Sequence, residues 1–393
     1  MTSLKPNSEA ELVDIVQDAI ALKTPLDLLG TGTKKGLGRP MQTAATLDLS
    51  GFSEITLYEP EELVITAGAG ARLDDLRKLL DEKGQEFAFE PPDLSKLLGA
   101  PHAGTLGGLL ACNLSGPRRL KAGAARDHIL GVAGVSGRGE AFKAGGRVVK
   151  NVTGYDIPKL MASSYGTLAA LTTLTFKALP KAESEETLVL EGLSDQDAIN
   201  AMSLAMQSSC EVSGAAHLPA AIADGTPKTF LRLEGVPPSI AYRRDKLARL
   251  LSAPASHLLA PEVSRAQWIA LRDVHPLSDA GDRCIWRLSV PPSDGARLVT
   301  ALAQSIDMSW FYDWAGGLIW LAVPADNDAC VEAIRAALPS GHATLIRAGE
   351  AMRGRIPVFQ PQAPALAALA RRVKASFDPM GILNPGRLQQ ETI

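Results

Sequence analysis

The chain has 393 residues, enough for two or three structural units at about 150 residues each and for a core that needs no disulfide or metal staple. Lys and Arg total 40 against 43 Asp and Glu, a net charge of −3, which argues against a protein that holds nucleic acid through phosphate contacts. Apolar residues at 46% and charged residues at 21% are ordinary globular usage, but 35 glycines beside only 5% aromatics are not.

Ser8 and Glu11 make a capping-box pattern ahead of Leu12, Ile15, Val16, Ala19 and Ile20, which recur at helical spacing. A short strand is expected at 26–29, then a glycine loop over 30–38. Two strands, 55–58 and 63–67, flank the Glu59-Pro60 turn, and a helix over 73–83 ends at Gly84. A second glycine cluster at 104–108 flows into an expected helix. A third, Gly145-Gly146, precedes the run 147–156 and a β-rich stretch at 171–176. Pro180 and the charged stretch 181–186 read as a domain boundary. From about 187 to 348 strand-like pieces (188–190, 230–233, 285–290, 318–323) alternate with helical ones, and four of the five tryptophans, Trp286, Trp310, Trp314 and Trp320, lie there near strands. A last helix puts Leu366, Leu369, Val373 and Phe377 on one face before 378–386 closes the pattern. The alternation is α+β or α/β in character.

The four cysteines, Cys112, Cys210, Cys284 and Cys330, form no C-x-x-C pair. Neither an iron–sulfur cluster nor a zinc ribbon is expected within this chain, and a reducing cytoplasm suits them. The start leads into an acidic amphipathic segment rather than an apolar signal core. No apolar run reaches the roughly 18 residues that span a bilayer; the best, 315–325, reads as a buried strand. Membrane contact is expected only through a partner.

Two common nucleotide motifs fail. A Rossmann turn needs G-x-G-x-x-G opening a helix, but Gly30 and Gly32 are followed by Lys35 in the third position, and Gly36, Gly38 and Pro40 break any helix. A P-loop needs G-K-[ST], which does not occur. What remains is a pair of Gly-Thr turns, Gly30-Thr31-Gly32-Thr33 and Gly104-Thr105-Leu106-Gly107-Gly108. Successive glycine N–H groups form anion-binding nests, and the second turn enters a helix whose N-terminus favours phosphate. Facing each other, the two turns can grip a pyrophosphate. Taken singly, each is as well read as a tight turn.

The ordered set Leu29 to Thr33, Pro91-Pro92-Asp93, His102 to Gly108, Asn113-Leu114-Ser115-Gly116, Arg126 to Gly131, Val149 to Asp156 and Ser164 to Leu168 resembles the FAD-binding domain of the vanillyl-alcohol-oxidase/PCMH superfamily. The closing Phe377 to Gly386 resembles the C-terminal signature of FAD-linked oxidases of 2-hydroxy acids. Within the superfamily the resemblance is to the FAD-binding subunits of three-subunit glycolate oxidases. It implies an α+β fold: a PCMH-type FAD-binding domain of two α+β subdomains over 1–181, a smaller α+β cap domain over 182–345, and a segment 346–393 that returns to the flavin. By motif match, Gly30, Thr31, Gly32, Thr33 and Lys34, with Gly104, Thr105, Leu106, Gly107 and Gly108, hold the pyrophosphate. Asp93, Asn113, Ser115 and Gly116 lie along the cofactor. Asp127, Ile129, Thr153, Gly154 and Tyr155 flank the adenine and ring portions. Gly166 belongs to the same set, and Asn384 approaches the isoalloxazine. His102 and Cys112 match no tethering motif, so FAD is expected to be non-covalent. Cys112 reads as a small buried core residue, and His102 either packs the turn or touches the cofactor.

Oxidising a 2-hydroxy acid requires a base for the hydroxyl proton and a cation for the carboxylate. Catalytic relatives carry G-D-G-N-x-H and G-E-H-G stretches. This chain has nothing like the first, and reads Gly349-Glu350-Ala351-Met352 at the second. A metal site is not expected. Arg347, Glu350 and Tyr155 are the candidates for substrate chemistry, each with a plainer reading as a surface or packing residue. Trp310, Phe311, Tyr312 and Trp314 read as packing or a subunit contact rather than a substrate cage. The expected function is the FAD-binding subunit of a glycolate-oxidising complex, partnered by a homologous FAD-linked catalytic subunit and an iron–sulfur subunit, cytoplasmic or held at the inner face of the membrane by the complex. A free-standing FAD-dependent 2-hydroxy-acid or sugar-acid dehydrogenase and a non-enzymatic scaffold are the alternatives.

Overall fold

Ser8 starts the first helix as its sequence dictates. Its Oγ accepts the Glu11 N–H at 3.2 Å, while Glu11 reaches back to the Asn7 N–H at 2.8 Å. The helix, Glu9–Ala21, buries Leu12, Val16 and Ala19. In the computed structural model, which describes residues 2–147, 154–252, 256–325, 327–338 and 340–389, two compact units are present. One comprises Met1–Ser115, Gly123–Pro180 and Pro361–Ile393, the other Gly116–Ala122 and Lys181–Gln360. The run 149–153, including Thr153, lies outside the described residues.

The first unit holds two α+β subdomains. In one, a three-stranded parallel sheet runs in the order Thr2–Leu4, Ala45–Asp48, Leu26–Leu29, and Leu26 and Leu47 pack under the first helix in one apolar cluster. In the other, five antiparallel strands run in the order Ile55–Glu59, Val64–Gly68, Ala169–Lys177, Ile129–Ser136, Ala141–Gly145. Helices Leu73–Asp81 and Leu106–Cys112 bury Leu73, Leu76 and Leu80, and Leu106, Leu109 and Leu110, in that subdomain's core. Phe87, Phe89 and Phe176 complete it with ring centroids 5.6 to 5.8 Å apart.

The second unit is an eight-stranded antiparallel sheet. Its order is Ser256–Leu259, Ser184–Glu191, Lys228–Gly235, Gly214–Leu218, Ser309–Asp313, Leu318–Val323, Cys284–Ser289, His342–Arg347. Every residue of Leu318–Val323 is buried, as a run apolar on both faces requires. The segment Gly116–Ala122 is anchored within this unit. Arg118 pairs with Glu234 at 2.8 Å, the Arg119 guanidinium lies 4.4 Å from the Trp314 ring centre, and Trp314 Nε1 donates to the Gly116 carbonyl at 3.0 Å. Trp310 and Tyr312 both donate to Asp195, and Phe311 stacks on Trp320, so this aromatic group packs the unit's interior.

Two details differ from the sequence pattern. The charged stretch at 181–186 runs directly into the strand Ser184–Glu191, and Glu185 is buried there, accepting from Ser264 Oγ at 2.7 Å. In the last helix, Pro364–Phe377, only Val373 and Phe377 pack on the core, while Leu366 and Leu369 are exposed. No helix among the described residues is long and apolar enough to cross a membrane.

Candidate functional site

The parallel strand Leu26–Leu29 ends at Gly30, and the chain enters the first glycine turn. The second turn enters the helix Leu106–Cys112, which Thr105 caps by accepting the Gly108 N–H at 3.3 Å. These two turns line one cleft in the first unit, together with Ser164 to Gly166, Asn384 and Arg387. They approach so closely that a Cβ on Gly30 would lie 2.5 Å from Thr105 Oγ1. Gly104, at φ +97°, meets Thr33 and Lys34 in the same way. The glycines therefore let two backbones close on a shared space.

The turns do different work. In the second, the N–H groups of Leu106, Gly107 and Gly108 are taken by Ala71 O, Ala69 O and Thr105 Oγ1, and Gly104 N–H by His102 Nδ1. His102 thus packs its own turn. In the first, the N–H groups of Gly32, Thr33 and Lys34 donate to no acceptor among the described residues, and the buried Thr31 hydroxyl is likewise without a partner there. The open donors accordingly sit on the first turn, a polar surface facing a cleft.

Lys34, Lys35 and Arg387 line the same cleft, and of these Lys35 is paired with Asp27 at 3.4 Å while the other two have no carboxylate partner among the described residues. Lys34 Nζ donates to the Ala103 carbonyl at 2.8 Å, and burial holds its ammonium below the ordinary lysine range. Arg387 Nη2 donates to the Lys34 carbonyl at 2.9 Å, and burial lowers its guanidinium too. Cys112 lies beside them, half-buried and lining the cleft rather than hidden in the core as its type suggests. Burial raises its thiol, and Lys34 and Arg387 partly oppose that shift.

Asn384 is 4% exposed and ties the C-terminal return to this subdomain. Its Oδ1 accepts the Leu28 N–H at 2.8 Å, and its Nδ2 donates to the Tyr165 carbonyl at 2.7 Å. Asp378 fixes the same return by accepting from the N–H groups of Ile382 and Leu383.

Of the motif residues, Gly30 to Lys34, Thr105, Gly107, Gly108, Gly166 and Asn384 line the cleft, with Gly104 directly behind it. Leu106 is fully buried in the core. Asn113, Ser115 and Asp127 accept from the backbone N–H groups of Arg126, Ala125 and Ala124, which pins that turn. Asp93 accepts from Ser95 N–H, and Ile129 begins a buried strand. Gly116 belongs to the second unit. Gly154 is at φ +82°, and Tyr155 is 93% exposed and does not line the cleft. Arg347 and Glu350 lie in the second unit. Arg347 donates to the carbonyls of Ser278, Gly281 and Arg283, and Glu350 is exposed in the first turn of Glu350–Arg355. Among the described residues, no group of three His, Cys, Asp or Glu is placed to hold a metal. Arg387 is among the lining residues that motif reading passes over, although it directly follows Asn384-Pro385-Gly386.

A family described as an FAD binding domain matches residues 3–145. Glycolate oxidase subunit GlcE of Escherichia coli is 33% identical over 380 residues, covering 97% of this chain and 97% of that protein. Glycolate oxidase subunit GlcD of Bacillus subtilis is 26% identical over 432 residues, covering 98% and 88%. The solved structure of p-cresol methylhydroxylase with substrate bound shares the fold, with a TM-score of 0.73 at 14% identity over 98% of this chain and 88% of that one.

The cleft fits the diphosphate of FAD on its own terms. It offers unpartnered N–H donors, an orphaned buried hydroxyl, two cations without a carboxylate partner among the described residues, and glycines where a Cβ would close the space.

Proposed function

The chain belongs to the family of the glycolate oxidase subunit GlcE and its FAD-linked relatives, and from that membership we propose that it serves as the FAD-binding subunit of a glycolate-oxidising complex. In this reading glycolate becomes glyoxylate together with a homologous flavin subunit, and an iron–sulfur subunit takes the electrons onward. The observation that carries it is the cleft: the orphaned Thr31 hydroxyl and open first-turn donors lie beside Lys34 and Arg387. The protein is an FAD-binding oxidoreductase by family, and FAD, when bound to this chain, would supply a redox centre that passes electrons toward the iron–sulfur subunit, the hydride of the α-carbon going to the partner subunit's flavin.

The chain's own residues act on the cofactor. The first turn and Lys34 hold the diphosphate non-covalently, the second turn permits the close approach, and Asn384 keeps the C-terminal return in place. The substrate side is assigned to the partner flavin subunit for two reasons. Ala351 stands where the resemblance leads one to expect histidine, and Arg347 commits its N–H groups to three backbone carbonyls rather than holding them open for a carboxylate. The complex is cytoplasmic and reaches the membrane only through its other members.

The test is a flavin spectrum under anaerobic conditions. The purified chain should carry FAD and stay oxidised when glycolate is added alone. It should co-purify with a second flavoprotein and an iron–sulfur protein, and the flavin of that complex should bleach with glycolate. Bleaching of the isolated chain by glycolate, lactate or a sugar acid replaces this reading with a free-standing dehydrogenase. A chain that stays colourless with added FAD overturns both.

A further inference from the structure

The cleft carries more positive charge than the protein itself balances. Lys34 and Arg387 both line it, and among the described residues neither has a carboxylate within ion-pair distance. The nearby Asp27 is paired instead with Lys35 at 3.4 Å. Partly buried cations left without a counter-charge are unfavourable unless a ligand supplies one.

Arg387 comes from the far end of the chain and is held firmly. Its backbone carbonyl accepts the Arg39 N–H at 3.0 Å, and its N–H donates to the Asn384 carbonyl at 3.3 Å. Its guanidinium reaches the first glycine turn at the Lys34 carbonyl, which accepts from Nη2 at 2.9 Å. A guanidinium has five N–H donors in a planar fork suited to phosphate oxygens, and a carbonyl clip alone does not require that charge. The side chain therefore stands beside the open N–H groups of Gly32 and Thr33 and the unpartnered Thr31 hydroxyl.

We propose that Arg387 is a direct ligand of the FAD diphosphate, supplied by the C-terminal return, so that cofactor binding and docking of residues 378–389 onto the first turn stabilise each other. This rests on the FAD reading of the cleft. By linkage, anything that binds only the docked form of the return holds it docked.

The experiment uses the full chain stripped of flavin. FAD and ADP, which share the diphosphate, are titrated into wild type, Arg387→Gln and Arg387→Lys at several NaCl concentrations, and the melting temperature of each apo form is recorded. Arg387→Gln should weaken both ligands by roughly tenfold to a hundredfold and flatten the salt dependence. Arg387→Lys should fall between, with apo melting temperatures unchanged. Equal affinity and equal salt dependence in wild type and Arg387→Gln overturn the proposal. So does a loss that Arg387→Lys shares in full while the apo form melts lower, because Arg387 is then only a clip. Wild type that binds neither FAD nor ADP overturns the FAD reading itself. A second measurement needs no variant: saturating FAD should slow tryptic cleavage after Arg387 in wild type severalfold, and an unchanged cleavage rate overturns the coupling.

Discussion

Replacing Asn384 with alanine tests the anchor of the C-terminal return. Asn384 is 4% exposed and sits at φ +43°, in the left-handed region that asparagine tolerates and alanine resists. Its amide satisfies the Leu28 N–H at 2.8 Å and the Tyr165 carbonyl at 2.7 Å. Alanine leaves both backbone groups without a partner, at about 1–3 kcal/mol each, and adds about 1 kcal/mol of backbone strain. The groups share one site, so the terms do not simply add, and a total of about 3–5 kcal/mol is expected. Each kcal/mol shifts the midpoint of a unit of this size by about 2–4 °C, so melting of the apo protein, followed by circular dichroism, should fall by roughly 10 °C. Asn384→Asp sharpens the reasoning. It keeps the acceptor toward Leu28 but sets a carboxylate oxygen against the Tyr165 carbonyl. That environment raises the carboxyl's folded pKa, so the deficit holds at neutral pH and shrinks as pH falls through the raised value, where the protonated acid can donate. An Asn384→Ala protein within 1 kcal/mol of wild type, in the sense of about 2–4 °C, or an Asn384→Asp protein as stable as wild type at neutral pH, refutes the anchoring role.

Three further outcomes are expected. Gly104→Ala places a Cβ against Thr33 and Lys34 at φ +97°, and should reduce FAD affinity at least about tenfold; Gly99→Ala, at φ +66° with open space around its Cβ, pays backbone strain alone and should bind FAD as wild type does by fluorescence titration. Cys112 should be alkylated by N-ethylmaleimide in the apo protein ahead of the buried Cys210, Cys284 and Cys330, and FAD should protect it, as read by mass spectrometry. In the second unit, burial raises the Asp195 carboxyl, but the His217 ring 3.4 Å away and hydrogen bonds from Tyr312 and Trp310 together overcome this and leave it below its ordinary value. The stability it contributes is present above the unfolded carboxyl value of about 4 and is lost as pH falls through the lower folded value; in Asp195→Asn that acid-dependent loss, followed by tryptophan fluorescence on melting, should be smaller.

Much of the fold is legible because its signals are local. Ser8 caps a helix three residues ahead of Glu11, the strand Leu26–Leu29 has the bounds its pattern suggests, and the run 318–323 is apolar enough to require burial on both faces. Their alternation narrows the class to α+β or α/β, and the family resemblance implies the first. Charged residues are where local reading runs out. Glu185, Arg232 and Arg243 look like surface and are buried, because their partners come from elsewhere: Ser264 for Glu185, Ser213 for Arg232, and the carbonyls of Cys210 and Glu234 for Arg243. Nor does any pattern within 116–122 announce that it joins the second unit. Trp314, 198 residues away from Gly116, draws it there.

The cleft divides along the same line. A glycine turn is readable because the need for a missing Cβ is a property of a few adjacent residues. Which N–H groups stay open is not, since Ala69 and Ala71, on a different segment, decide that the second turn's donors are consumed. The charge of the cleft is less local still. Lys34 and Arg387 stand 353 positions apart, and the C-terminus comes back to the first turn through the bonds of Asn384 to Leu28 and Tyr165 and the backbone pairs Leu26–Ile382 and Arg39–Arg387. A basic residue one step past a recognised motif looks like solvent-facing charge until the return is folded. Once it is, the absence of a carboxylate partner among the described residues changes the meaning of that charge: the anion that completes the cleft must come from a ligand.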